Sequence, residues 1–195
     1  MAWMFYDPGK HRGLKAPAIP NHPRSMLEPR GKMILLLMTL SLAAAFVYSL
    51  HWLSYRLLKT RIVSRQKWGL NICSGNTDGG GVNADIVSYG NLPKFIQLGD
   101  IYRLPFRNLE FDSALCSHTM EHVEDPDKFY RELSRVAREV TLVLPPLWDL
   151  PAVLNIWEHR WIFLTFKKEH RRLPPRIRLP FSWTFQRIIG QRIKA

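Results

Sequence analysis

Residues 111–146 read FDSALCSHTMEHVEDPDKFYRELSRVAREVTLVLPP, and the pattern changes twice along them. The apolar run 111–117 has strand length and ends in a polar cluster. PDKFYRELSRVAR follows, with Asp125 placed as N-cap, Pro126 at the first helical position, and Phe129, Leu133 and Val136 on one face. That combination predicts a helix over 126–138. EVTLVLPP is a second buried run, a strand over 140–144 stopped by Pro145 and Pro146. Strand, helix and strand in this order form a βαβ unit, and a parallel α/β sheet follows.

Working toward the N-terminus, short apolar runs near 69–73, 83–87 and 95–98 supply three more strands. In such sheets ligands sit beyond the carboxyl ends of the strands, where strand order reverses. The polar residues gather there: Ser74, Gly75 and Asn76 after the first strand, Asp85 in the second, Gly99 and Asp100 after the third, Ser117 to His122 after the fourth. Gly75, without a Cβ, lets the backbone approach a ligand closely. Asp85 has the lone pairs to accept both hydroxyls of a ribose, and Asp100 offers a second carboxylate. The triplet Gly79–Gly81 reads as a flexible turn. Fewer than a dozen residues join Gly75 to the second strand, at the limit for a parallel crossover, so the first crossover helix is expected to be short or absent.

From Trp68 to Trp148 the chain resembles class I S-adenosylmethionine-dependent methyltransferases of the type-11 group. LNICSGN (70–76) is similar to their first motif, GDIYRLPF (99–106) to the acidic-loop pattern, and FDSALCSHTMEHVEDPDKFYRELSRV (111–136) to the fourth strand and following helix. LN before the loop and GGVNAD after it resemble a compact subgroup often associated with glycan or envelope biosynthesis. The resemblance implies a Rossmann-like sheet, compact or truncated, and S-adenosylmethionine as cofactor. It also implies that Asn71, Ser74 and Gly75 line the methionine side, that Asp85 takes the ribose hydroxyls, and that Ile86 flanks the adenine. Asp100 and Ile101 would hold the adenine edge, with His118 beside the sulfonium. Cys73 stands where many relatives have the first glycine, Thr77 stands near the third, and Asn71 replaces the commoner acid. These departures sustain a second reading, a catalytically inactive scaffold that keeps the fold.

In a methyltransferase, placing the acceptor in line with the methyl group supplies most of the rate. A base is needed only for an acceptor that must lose a proton, and His118, Glu121 and His122 are the candidates. HTMEH (118–122) also satisfies H-x-x-E-H, in which two histidines hold zinc and the glutamate is the base. That motif works on a helix, whereas here it follows a strand and precedes a turn. No third ligand among Cys116, Glu158 and Glu169 has metal-site spacing, so no metal is expected and a zinc hydrolase is the weaker alternative.

The flanks differ from this centre. Residues 1–67 carry 11 Lys and Arg against 2 acids, residues 68–157 carry 7 against 12, and residues 158–195 carry 10 against 2. A nucleic-acid binder puts its basic stripe on the folded module, so no nucleic-acid partner is expected, and anionic lipid suits the basic flanks better. Residues 33–55, MILLLMTLSLAAAFVYSLHWLSY, lack Lys, Arg, Asp and Glu, and at about 1.5 Å per residue they span a bilayer core of roughly 30 Å. Basic residues after the run slightly outnumber those before it, which favours a cytoplasmic catalytic part. Neither Cys73 nor Cys116 belongs to a CxxC pair, which fits that compartment.

The organisation expected is therefore a disordered basic tail (1–32), a transmembrane helix (33–55), a basic linker (56–67), the α/β domain (68–150) and a basic aromatic extension (151–195). The extension would contact the acceptor or the membrane, RWIFLTF (160–166) being its best candidate for an added strand at the sheet edge. The acceptor expected is a small molecule or a lipid-linked or membrane-proximal one.

Overall fold

The structure is a computed structural model and describes residues 29–190. The expected tail lies outside the described residues as far as residue 28. The described residues fall into two units that divide after Leu40.

The described part of the first unit is the opening of helix α1 (Pro29–Trp52), none of whose residues is buried. Apolar side chains on every face of a helix suit lipid rather than water. One continuous helical stretch, Pro29–Val63, is long and apolar enough to cross a membrane, with a mean hydropathy of 2.2 over its best window. The expected linker is helical through most of its length. One π-helical segment, Leu53–Leu58, follows α1, and α2 (Lys59–Val63) follows that.

In the second unit a six-stranded sheet has the order β3-β2-β1-β4-β5-β7. Its strands are β1 (Leu70–Ile72), β2 (Val82–Asp85), β3 (Phe95–Gln97), β4 (Phe111–Ser117), β5 (Ala137–Val143) and β7 (Glu169–His170). All pair in parallel except β7, which runs antiparallel along β5. The order reverses between β1 and β4, which sets the ligand-binding crevice of such a sheet there. Helix α3 (Pro126–Val136) makes the β4-to-β5 crossover. Asp125 caps it, accepting from Lys128 N at 3.0 Å, and Phe129, Leu133 and Val136 are fully buried. They pack in one core with Leu70, Ile72, Ala114, Cys116 and Leu142 of the sheet. β5 begins directly after α3, three residues earlier than expected.

No helix joins β1 to β2 or β2 to β3. Residues 73–81 make the connection instead, with Gly79 close against Asn71 of β1 and Gly81 against Trp68 and Gly69, and buried amides hold them. Asn83 Oδ1 accepts from Gly79 N at 3.0 Å and from Asn71 Nδ2 at 3.1 Å, while Asn83 Nδ2 donates to Asp78 Oδ1 and the Pro93 carbonyl at 2.8 and 2.9 Å. All four hydrogen-bonding positions of this amide are used. The glycine triplet is not the flexible turn expected of it. A Cβ on Gly81 would stand 2.1 Å from the Trp68 carbonyl oxygen, and one on Gly79 would stand 2.5 Å from Asn71 Cβ. These glycines are small so that the connection can touch the strand.

The extension, which opens on the short helix α4 (Leu150–Val153), also departs from expectation. Trp161–Phe163 forms β6, which pairs with β8 (Arg176–Arg178) in a separate two-stranded sheet, and the edge position beside β5 goes to β7. The cause is a tether at the preceding residues: Arg160 N and Trp161 N donate to the Glu121 carbonyl, and Trp161 Nε1 donates to the Val123 carbonyl at 2.9 Å. These bonds hold RWIF beside the 118–123 loop rather than along β5.

Candidate functional site

A cavity of about 540 Å³ opens at the carboxyl ends of β1, β2 and β4, inside the roughly 300–1,000 Å³ range of small-molecule sites. Ser74, Gly75, Asp85, Ile86, His118 and His122 line it, joined by Tyr55 and Lys59 from the helical segment before the sheet. A second cleft, about 430 Å³, lies among Tyr130, Arg138 and Arg171 near the start of β5, away from the strand ends where this fold binds ligands.

The loop after β1 turns through two left-handed residues, Cys73 (φ 50°) and Gly75 (φ 54°). A Cβ on Gly75 would meet nothing within 4 Å, so its backbone faces open space and a ligand can approach it. Asp85 fixes this loop, Oδ2 accepting from Gly75 N at 2.9 Å and Oδ1 from Ile86 N at 2.7 Å. An ionised carboxylate has about four acceptor positions, so capacity remains for hydroxyl groups of a ligand. Ser74 and Ser117, both lining residues, have buried hydroxyls with no partner among the described residues. Open backbone, spare carboxylate lone pairs and unpaired hydroxyls fit a polar, ribose-bearing cofactor.

Four of the expected site residues stand outside the lining. Asn71 is buried, with its amide committed to the Thr77 carbonyl at 2.7 Å and to Asn83. Ile101 is a core residue, and Asp100 is exposed and accepts from Tyr102 N at 2.8 Å. Glu121 is wholly buried behind His118.

His118 occupies a left-handed backbone position (φ 55°) and is held from both sides. Nδ1 donates to Glu121 Oε1 at 3.1 Å, and Nε2 accepts from Lys168 Nζ at 2.8 Å. Lys168 Nζ also donates to Ser54 Oγ at 2.9 Å, and the Tyr55 ring lies 5.4 Å from the His118 ring. Ser54 and Tyr55 belong to the π-helical segment, a distortion that is frequent at functional sites. Burial pushes the Glu121 carboxyl up, but the His118 bond and the surrounding imidazoles outweigh it and hold the group ionised, below the ordinary carboxylate range. Burial pushes His118 down despite Glu121, and the charges of Lys168 and Lys59 add to the fall. Lys168 is lowered to about 8, chiefly by burial.

Lys168 was missed in the sequence because it sits in the run KKEHRR, where a lysine reads as a solvated charge. Its only signal is a position just ahead of the edge strand β7. HTMEH forms a turn rather than a helix. Among the described residues, Glu121, His122 and His159 form the group that could hold a metal, with ligating atoms within 4.8 Å of one another. His159 replaces the third ligands considered from sequence. His122 Nδ1 donates to the Glu158 carbonyl at 3.0 Å, and burial lowers His159 to about 4.

Residues 69–143 match the family model described as "Methyltransferase domain", the type-11 group. No curated protein matches the chain. Among solved structures, similar folds include a SAM-dependent methyltransferase of Thermotoga maritima, described as a possible histamine N-methyltransferase, at 16% identity and TM-score 0.39. That alignment covers 51% of this chain and 57% of the other, so the chain spans little more than half of that relative's length. A Pyrococcus horikoshii protein aligns at 17% identity and TM-score 0.40 over 73% of this chain and 80% of its own. A SAM-dependent methyltransferase from Aquifex aeolicus aligns at 16% and 0.37 over 74% and 85%. Over residues 69–143, a little more than a third of its length, the chain is thus similar to the class I S-adenosylmethionine-dependent methyltransferases of the type-11 group, a family whose cofactor is S-adenosylmethionine.

Proposed function

We propose that this chain is a membrane-anchored methyltransferase that moves a methyl group from S-adenosylmethionine to a membrane-proximal acceptor, lipid-linked or glycan-bearing. The observation that carries the reading is the cavity at the point of strand reversal, where the Ser74–Thr77 loop, Asp85 and His118 meet within the matched family segment. Bound there, S-adenosylmethionine supplies an electrophilic methyl group on a sulfonium.

The chain's own residues do the rest. Asp85 holds the Gly75 loop and offers acceptor positions to the ribose hydroxyls, and Ile86 gives the adenine an apolar face. His118, oriented by Glu121, is the group placed to take a proton from the acceptor, and Lys168 controls the availability of its Nε2. Asn71 supports the loop. Tyr55 and Lys59 close the side of the cavity contributed by the helical stretch before the sheet, which favours an acceptor met at the membrane. The basic flanks and the apolar helix support a single-pass anchor on anionic lipid with the catalytic part cytoplasmic.

The test is calorimetric titration of S-adenosylmethionine into detergent-purified full-length protein, beside Asp85→Ala. Saturable binding weakened at least tenfold in the variant is expected, since at least one charge-assisted hydrogen bond is lost. Well-folded protein that fails to bind would overturn the reading in favour of an inactive scaffold. Zinc content of the same sample tests the Glu121, His122 and His159 group.

A further inference from the structure

Helix α5 (Ser182–Ile189) is folded with its polarity reversed. Its buried residues are Ser182 and Gln186, four apart and therefore on one face. Both are fastened by hydrogen bonds: Ser182 Oγ donates to the Leu179 carbonyl at 2.8 Å, and Gln186 Nε2 donates to the carbonyls of His159 and Ile156 at 2.9 and 3.3 Å. The apolar side chains point the other way. Phe181 is 76% exposed, Ile188 77%, Ile189 62% and Trp183 58%. The patch continues through Phe185 to Trp157, whose rings meet edge to face at 5.5 Å, and Trp157 is itself half exposed. A soluble helix buries its apolar stripe and hydrates its polar one, and this one does the opposite.

Charge identifies what covers the patch. From His170 to the C-terminus the chain has seven Lys and Arg and no Asp or Glu. Two of these cations stand at the patch: the Arg187 guanidinium lies over the Trp183 ring at 5.1 Å, and Arg178 lines a shallow groove with Phe181 and Trp183. Exposed aromatic and branched apolar side chains rimmed by cations are the composition of an element lying in a membrane interface, with aromatics at headgroup depth and arginines on phosphate.

We propose that α5 with Phe181 is an interfacial docking element, its Trp183, Ile188 and Ile189 seated in an anionic bilayer surface. The proposal rests on the reading of the chain as membrane-bound and is independent of methyl transfer. It gives the folded unit a membrane contact of its own, distinct from the apolar helix.

The test uses the full-length chain in vesicles of brominated phosphatidylcholine with phosphatidylglycerol. The contribution of Trp183 is read as the difference in fluorescence quenching between the native chain and Trp183→Phe. Quenching of that contribution by at least half is expected, together with its loss in the double variant Ile188→Glu, Ile189→Glu and a marked decrease without phosphatidylglycerol. Both isoleucines are exposed, so the double variant tests docking rather than folding. An unquenched Trp183 in a chain that resists alkaline extraction would overturn this inference alone, whereas a chain released by alkaline extraction would overturn the membrane reading itself. Trp183 shielded from bromine and cross-linked to a second copy would make the face an interface between chains and would likewise overturn the proposal.

Discussion

The two halves of the sheet solve the same problem differently. Between β4 and β5 the chain uses a capped, amphipathic helix and buries Phe129, Leu133 and Val136 against the strands. Between β1 and β2 it has residues 73–81 and no helix, so the parallel pairing rests on a glycine triplet pressed onto β1 and on the side-chain amides of Asn71 and Asn83. One half is held by apolar area, which tolerates small changes. The other is held by close contact and a saturated hydrogen-bond network, which tolerates few. The difference teaches that a compact domain can dispense with a crossover helix if buried amides replace what the helix would have covered.

The sharpest break of the comparison is at Gly81. A Cβ there meets two backbone carbonyls, those of Trp68 and Gly69, at 2.1 and 2.6 Å, and backbone cannot rotate away. Gly81→Ala is expected to cost about 3 kcal/mol or more, the upper end of overpacking effects, and to separate β2 from β1. Asn83→Leu should be comparably damaging, because it takes the partner of Gly79 N and one of the two bonds of the buried Asn71 amide, each at about 1–3 kcal/mol, and also releases the Pro93 carbonyl. Thermal unfolding of both variants checks this. If they melted like the native chain, the account of the helix-free half would be wrong.

The next effect concerns function. Below about pH 8 Lys168 is charged, and its N–H occupies the lone pair of His118 Nε2. Transfer to an acceptor that must lose a proton is therefore expected to rise with pH through about 8. Lys168→Met removes that charge and frees the Nε2 lone pair, while burial still holds His118 below its ordinary value, so the inflection near 8 should be lost and the rise should move to lower pH. A pH profile of S-adenosylhomocysteine formation reads the shift. An unmoved inflection would remove Lys168 from control of the base and leave it a structural tie to Ser54.

What was legible in the sequence follows the same division. The β4–α3–β5 half announces itself through periodicity, Asp125 and Pro126, all local signals. The carboxyl-end placement of Ser74, Gly75, Asp85, Ile86, His118 and His122 was also readable, since strand ends follow from strand positions. Asn71 and Asn83 were not recognisable as loop supports, because a buried amide network depends on partners up to twelve residues apart and leaves no periodicity. Asp100 and Ile101 carried an expectation from resemblance, but the loop after β3 turns Asp100 outward to cap its own turn and sends Ile101 into the core. Lys168 and Ser54 are 114 residues apart, and no local pattern reveals such a pair.

The smallest effects sharpen the comparison most, because two substitutions of similar cost should differ in what they disturb. Asp125→Ala removes the side-chain cap of α3 and is expected to cost about 1 kcal/mol, lowering the melting temperature without touching the cavity. Gly75→Ala also imposes about 1 kcal/mol, because an alanine is strained at φ 54°. Its Cβ meets no protein atom, so it projects into open space at the cavity. Calorimetry should therefore separate a pair that thermal unfolding does not: Asp125→Ala binds S-adenosylmethionine like the native chain, and Gly75→Ala binds it several-fold more weakly. Equal affinities would mean that the cofactor does not approach the Gly75 backbone. The glycine would then be present for its left-handed turn alone, and the helix-free half would be compact for folding rather than for the ligand.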